Sequence, residues 1–281
     1  PPVPFALLVM GSGGRGESLI GADQDNGLIL ADYDDTEHDR IDAWFREFSA
    51  MFCEMLDTIG LPYCRGGVMA SNPLWRKTIS QWREQVDGWL RRRSAAMLRL
   101  ADIFFDFTAV WGERALAEDL RDHVMSSLPR SHAFLQAMHA EQRDHATALG
   151  WFGRLRTRDE APNHHALNLK YDAGLPLVES LRLLGLANGV AATGTPARLA
   201  ALVERGHIKA DTGEALHDAF AVITGLMLRQ QIADFREGRE PDYWLDPDGL
   251  SSRERQDLIG ALRAIEGLRD RVASDFTADL F

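Results

Sequence analysis

Apolar residues change their spacing along this chain in a way that separates its parts. Phe5 to Met10 is a short, continuous apolar run with prolines before it and glycines after it, the pattern of a buried strand. A second run, 26–32, predicts another strand. The segment between them, 11–25, reads as a glycine turn carrying one short helix. From Ile41 to Ile59 the spacing becomes helical, through Ile41, Trp44, Phe45, Phe48, Met51, Phe52, Met55, Leu56 and Ile59. Asp34, Asp35 and Thr36 supply a start signal for that helix, and Gly60 with Pro62 beyond it a stop. The stripe predicts core packing against a sheet.

Leu61 to Met69 reads as a short strand or extended loop broken by Gly66 and Gly67. A helical region is expected from Asn72 through Trp89, with the arginines 91–93 on a solvated face. Residues 97–125 predict a long helix or a broken pair. Leu128-Pro129-Arg130-Ser131 marks a domain boundary. From 132 onward only helical spacing is legible, with candidate helices at 131–149, 175–189, 195–205, 210–237 and 251–278. Breaks fall at Gly150, Pro162, Gly174-Leu175-Pro176, Gly194-Thr195-Pro196 and Glu240-Pro241. The expected class is α+β, with strands confined to the first half.

Composition narrows the setting. The chain has 281 residues, enough for two domains, and 45% hydrophobic content with 26% charge is ordinary for a globular protein. No apolar stretch approaches the ~20 residues that cross a bilayer, and no signal peptide is seen. Two cysteines, Cys53 and Cys64, make no disulfide framework. A reduced, cytoplasmic setting is expected. The net charge of −11 disfavours broad nucleic-acid binding, because that affinity comes from basic groups neutralising phosphate.

The chemistry concentrates in Val9 to Leu30, VMGSGGRGESLIGADQDNGLIL. Gly11, Gly13, Gly14 and Gly16 let the backbone turn tightly and approach another molecule closely. Asp23 and Asp25, two residues apart, point to one face of an extended segment. Paired carboxylates repel unless a cation lies between them or one takes a proton. Mg²⁺, held by one or two carboxylates plus substrate phosphates, satisfies them.

Gly11-Ser12, then Asp23-Gln24-Asp25, resembles the signature of the polymerase-beta-type nucleotidyltransferase superfamily. The inner Gly14-Arg15-Gly16-Glu17 is similar to the branch holding the protein-PII uridylyltransferases. Asp23 to Leu30, DQDNGLIL, is similar to nucleotidyltransferase-like signalling proteins linked to CBS and cyclic-nucleotide-binding modules. In the second half, Asn168-Leu169-Lys170, Thr193-Gly194-Thr195 and Leu228-Arg229-Gln230-Gln231 resemble the helical domain that accompanies them.

The resemblance implies a small mixed-sheet nucleotidyltransferase domain over 1–128 and an all-helical, substrate-binding-like bundle over 129–281. It implies transfer of an NMP group from an NTP to an unidentified acceptor, a protein in the uridylyltransferases. Asp23 and Asp25 would be catalytic and bind Mg²⁺. Gly11 and Ser12 would bind phosphate, and Arg15 would serve as a phosphate or structural partner. Glu17 is expected to pair with an arginine or to cap the turn. Arg65 beside Gly66 and Gly67 offers a cation to phosphate or a simple turn. Lys170, with Arg198, is a candidate to line the nucleotide cleft.

Two departures stand out. Thr108 occupies a position where the family carries arginine, and no acid lies near Cys64, where a third carboxylate is expected. Asp106 could fill that place only if its helix folds back over the site. The missing acid keeps a second reading open, a catalytically inactive nucleotide-binding signalling module, and a helical interaction module is a third. The chain enters its first strand at Pro1 almost at once, whereas the superfamily's first strand normally follows a helix. A longer protein with N-terminal regulatory domains is therefore expected.

Overall fold

A computed structural model describes residues 1–150, 153–160 and 163–277. The chain divides into two compact units, Pro1–Phe134 and Leu135–Phe281. Pro162, read above as a break, and position 278, the last of a predicted helix, lie outside the described residues.

The first unit is built on a four-stranded mixed sheet. β1 (Phe5–Val9) pairs antiparallel with β2 (Asn26–Leu30), Phe5 facing Leu30 and Val9 facing Asn26. β3 (Arg76–Thr78) lies parallel to β2, and β4 (Thr108–Gly112) lies antiparallel to β1, giving the order β3-β2-β1-β4. Alternation along β1 and β2 sorts the side chains. Phe5, Leu7, Leu28 and Leu30 form one buried cluster with Ile41 and Phe45 of α2 (His38–Thr58). On the other face, α3 (Ile79–Arg92) and α5 (Arg114–Ser127) pack on the sheet, and the Trp82 Nε1–H donates to the Leu28 carbonyl. Trp75, Trp82, Phe104 and Phe107 are buried in an aromatic core, with Phe104 stacked on Trp82 at 4.9 Å between centroids.

The helix over 41–59 forms as its spacing predicts, starting behind a short 3-10 turn capped by Asp34, whose carboxylate accepts from the Thr36 N–H. Its buried line is narrower than the stripe. Ile41, Phe45, Ser49 and Cys53 are buried, whereas Met51, Met55 and Ile59 are 53%, 65% and 74% exposed. A helix over a sheet hides only one strip of its surface, and four-residue steps from Ile41 select it.

Two strands were hidden inside predicted helices. The region 72–89 is a 3-10 turn at Pro73–Trp75, then β3, then α3. β3 spans three residues and runs directly into a reciprocal capping box between Thr78 and Gln81, so no alternating pattern has room to show. The region 97–125 is α4 (Ala95–Phe104), β4 and α5. β4 is largely exposed, which removes the hydrophobic alternation that would announce a strand. Gly112, at φ +87°, passes so near β1 that a Cβ there would lie 2.1 Å from the Phe5 carbonyl oxygen.

α6 (His132–Gln142) crosses the division between the units and ends before the predicted 149. The second unit is mainly helical. α7 (Leu175–Ala187) is buried from Pro176 through Leu186 and packs against α8 (Thr195–Glu204) and α10 (Ser252–Thr277). α9 (Ala210–Arg236) packs along α10. The expectation of helices alone needs one correction. A small antiparallel sheet, β5 (Arg158–Glu160), β6 (Asn163–Asn168) and β7 (Trp244–Leu245), joins distant segments in the order β5-β6-β7. These strands are short and mostly polar, so pairing and not periodicity defines them. Among the described residues, no helix is long and apolar enough to cross a membrane.

Candidate active site

The site lies in the first unit, where β1 ends and β2 begins. After Val9 the chain enters a single helical turn, α1 (Gly11–Gly14), and Gly11 begins it at φ +56°. The Met10 N–H donates to the Asp25 carbonyl at 2.9 Å, which seats Asp25 beside that turn. A Cβ on Gly11 would lie 2.8 Å from Asp25 Oδ2. Glycine is needed here for its backbone conformation and for the room it leaves the carboxylate. Gly14 is under a different constraint, since its Cβ would fall 1.8 Å from the Asp106 carbonyl oxygen.

Residues 23–26 run extended, and their alternation decides what faces the turn. Gln24 and Asn26 point inward and are buried. The Gln24 side-chain amide donates to the carbonyls of Cys53 and Leu61, each at 3.0 Å. Asn26 Oδ1 accepts from the Ala70 N–H at 2.8 Å. Asp23 and Asp25 project to the opposite side, Asp23 exposed and Asp25 half-buried. The expected single face for the two acids is therefore present.

The same pins fasten the loop 61–70 along this strand. The Gln24 N–H donates to the Pro62 carbonyl, the Asn26 N–H donates to Val68, and Gln24 bridges Tyr63. That pairing delivers Cys64 to the acids. Ligand atoms of Asp23, Asp25 and Cys64 all lie within 4.8 Å of one another, a group able to hold a metal ion. Burial, with the Asp25 charge close by, pushes the Cys64 thiol up to about 11. Two carboxylates suit a divalent cation such as Mg²⁺, and the third place holds a soft thiol where that ion would take a hard oxygen.

The other residues singled out from sequence fall into place around this centre or away from it. Ser12 lies in the turn, its hydroxyl 3.4 Å from that of Ser18. Arg15 takes the structural alternative. Its Nε donates to Glu17 and its Nη1 to Asp106, both at 2.7 Å, and its side chain is 10% exposed. Asp106 is fully buried in the connection between α4 and β4 and anchors Arg15; it is not brought into the group around Cys64. Thr108 donates to the Gly14 carbonyl at 2.7 Å, a use for the residue found where the family carries arginine. Arg65 is exposed and follows Cys64 in a turn closed by the Gly67 N–H on the Cys64 carbonyl.

In the second unit, Lys170 begins a π-helical turn, with its ammonium 4.8 Å over the Tyr243 ring. Arg198 is buried, its Nε donating to the Ala192 carbonyl and its stem packed on Gly185, which takes it off any cleft surface. His145 pairs with the buried Glu179 at 2.9 Å.

Sequence reasoning looked for an acid at Cys64 and missed the thiol. The signal was available: a cysteine at the expected ligand position is itself a ligand type.

A family model described as "Putative nucleotidyltransferase DUF294" matches residues 1–96, and one described as "Putative nucleotidyltransferase substrate binding domain" matches residues 132–276. No curated protein matches the chain. With the paired acids on the first domain and a substrate-binding-type domain behind it, the chain belongs to this nucleotidyltransferase family.

Proposed function

We propose that this chain moves an NMP group from an NTP to an acceptor, with release of pyrophosphate and with Mg²⁺ as cofactor, inside a signalling protein of the CBS-linked type related to the PII uridylyltransferases. The observation that carries this reading is the placement of Asp23 and Asp25 on one side of a strand, against a glycine turn shaped to leave them room. Asp23 and Asp25 would hold the metal. When bound, the ion supplies positive charge that offsets the crowding of negative charge at the α-phosphate.

The chain's own groups do the rest. The first N–H groups of the Gly11–Gly14 turn would meet phosphate oxygens, with the Ser12 hydroxyl as a further donor. Arg65, exposed on the loop that reaches the acids, offers a cation to the leaving phosphates. The Arg15–Glu17–Asp106 group holds the turn rigid from behind. Lys170 would supply a further cation to the nucleotide, since ligand sites favour domain interfaces. The acceptor is a protein in this reading, and the free cysteines accord with a reducing cytoplasm.

The test is calorimetry with each NTP in Mg²⁺, beside incubation with labelled NTP and candidate acceptors. Saturable NTP binding, weakened at least about tenfold by Asp25→Asn, is the expected result. Binding that ignores both Asp23→Asn and Asp25→Asn would reject the site. The thiol in place of a third acid favours one alternative, a nucleotide-binding module without turnover. Pyrophosphate release separates the two.

A further inference from the structure

We infer that Cys64 is a metal ligand that lets the site proposed for Mg²⁺ take a thiophilic divalent ion such as Zn²⁺ or Co²⁺ as well. The inference rests on the divalent-ion role proposed for Asp23 and Asp25.

Three observations support it. The Cys64 sulfur and the two carboxylates are mutually within 4.8 Å, so one ion can reach all three. The sulfur is held there by the fold. The loop carrying it is pinned on both sides of Cys64, by Pro62 and Leu61 to Gln24 and by Val68 and Ala70 to Asn26, the two residues that alternate with the acids. Finally, Asp106, the acid considered for this place, is spent on Arg15 and leaves the third position to sulfur.

The donor chemistry then decides. Thiolate sulfur is soft and suits Zn²⁺ and its neighbours, whereas Mg²⁺ demands hard oxygen ligands. On coordination the S–H bond is exchanged for a sulfur–metal bond and the proton passes to the buffer. Any mixed oxygen and sulfur site binds Co²⁺ and Zn²⁺ more tightly than Mn²⁺, so a bare preference is uninformative. The informative quantity is how far that preference depends on Cys64. Cys53 is buried elsewhere and stays in place as the internal control.

The full chain is titrated with Co²⁺, followed by its visible and ultraviolet spectrum, and with Mg²⁺ by calorimetry in the presence of NTP. The wild type is expected to show a sulfur-to-cobalt charge-transfer band. Cys64→Ser should abolish the band and weaken Co²⁺ binding at least about tenfold. Cys64→Asp should strengthen Mg²⁺ binding. A measurement free of variants accompanies these: Zn²⁺, and not Mg²⁺, should protect Cys64 from maleimide, read by mass spectrometry. Co²⁺ bound through Asp23 and Asp25, with no band and no Zn²⁺ protection, would overturn the role of Cys64 and leave the acid pair standing. No divalent binding to any form of the chain would remove both readings.

Discussion

At the residue scale, the site is shaped as much by what its neighbours exclude as by its ligands. Gly11 has no Cβ and so leaves Asp25 its place. Arg15 is the instructive case. The sequence leaves it as a phosphate or structural partner, and its guanidinium bridges Glu17 and the fully buried Asp106. Burial makes this pair asymmetric: removing one partner strands the other charge away from water. Asp106→Asn should therefore lower the unfolding free energy by about 3–5 kcal/mol in denaturant titration, without changing metal affinity once the protein is folded. A metal-binding defect in folded Asp106→Asn would instead make Asp106 part of the ion site. Asp23 and Asp25 were legible from their spacing alone, because a two-residue step on an extended chain repeats a face. The fate of Arg15 was not, since its partner lies 91 positions away.

At the scale of elements, local signals worked wherever an element carries its own start and burial pattern. α10 shows this well. Ser251 and Glu254 cap each other, the Glu254 carboxylate accepting from the Ser251 N–H and hydroxyl while the Glu254 N–H donates to the Ser251 hydroxyl. These bonds, with Arg229 beyond them, bring the Glu254 carboxyl down to about 2 from an ordinary 4.5. A carboxyl lowered on folding adds stability above its unfolded value and loses it as pH falls through the folded value. The contribution should thus be complete above about pH 4.5 and fade toward about pH 2. In thermal melts across that window, Glu254→Gln should flatten the acid limb relative to wild type. Ser251→Ala should cost about 1 kcal/mol at neutral pH. An acid limb indifferent to Glu254→Gln would show that the cap does not hold in solution. The elements that escaped notice, β3, β4 and the β5-β6-β7 sheet, are short or exposed strands whose existence depends on a partner. β7 is two residues long, and no pattern can be read from two residues.

At the scale of the whole molecule, charge is the clearest guide. In a chain of net charge −11, cations such as Arg76 and Arg83 are paired with acids, here Asp42 and Asp119. Long-range attraction to a polyanion is then weak, while a small local phosphate site stays possible. Fluorescence anisotropy with a duplex DNA probe should show no binding at about 0.15 M salt. Micromolar binding there would reveal a basic surface that the overall balance conceals. A saturating NTP should behave oppositely and raise the melting temperature, by mass action on the folded state.

The sequence by itself determined the strand–turn–strand that carries the acids, the long helices of both units and the family to which they point, because each of these is written in residues close together along the chain. The tertiary structure alone decided the sheet order and the burial of Arg15 and Asp106, and it seats the Cys64 thiol beside Asp23 and Asp25, where the family resemblance had pointed for an acid. Periodicity records which face of an element is hidden; it carries no record of which distant segment hides it. That choice is made when backbone hydrogen bonds between remote strands close, as they do where Gln24 and Asn26 take hold of the loop from Leu61 to Ala70.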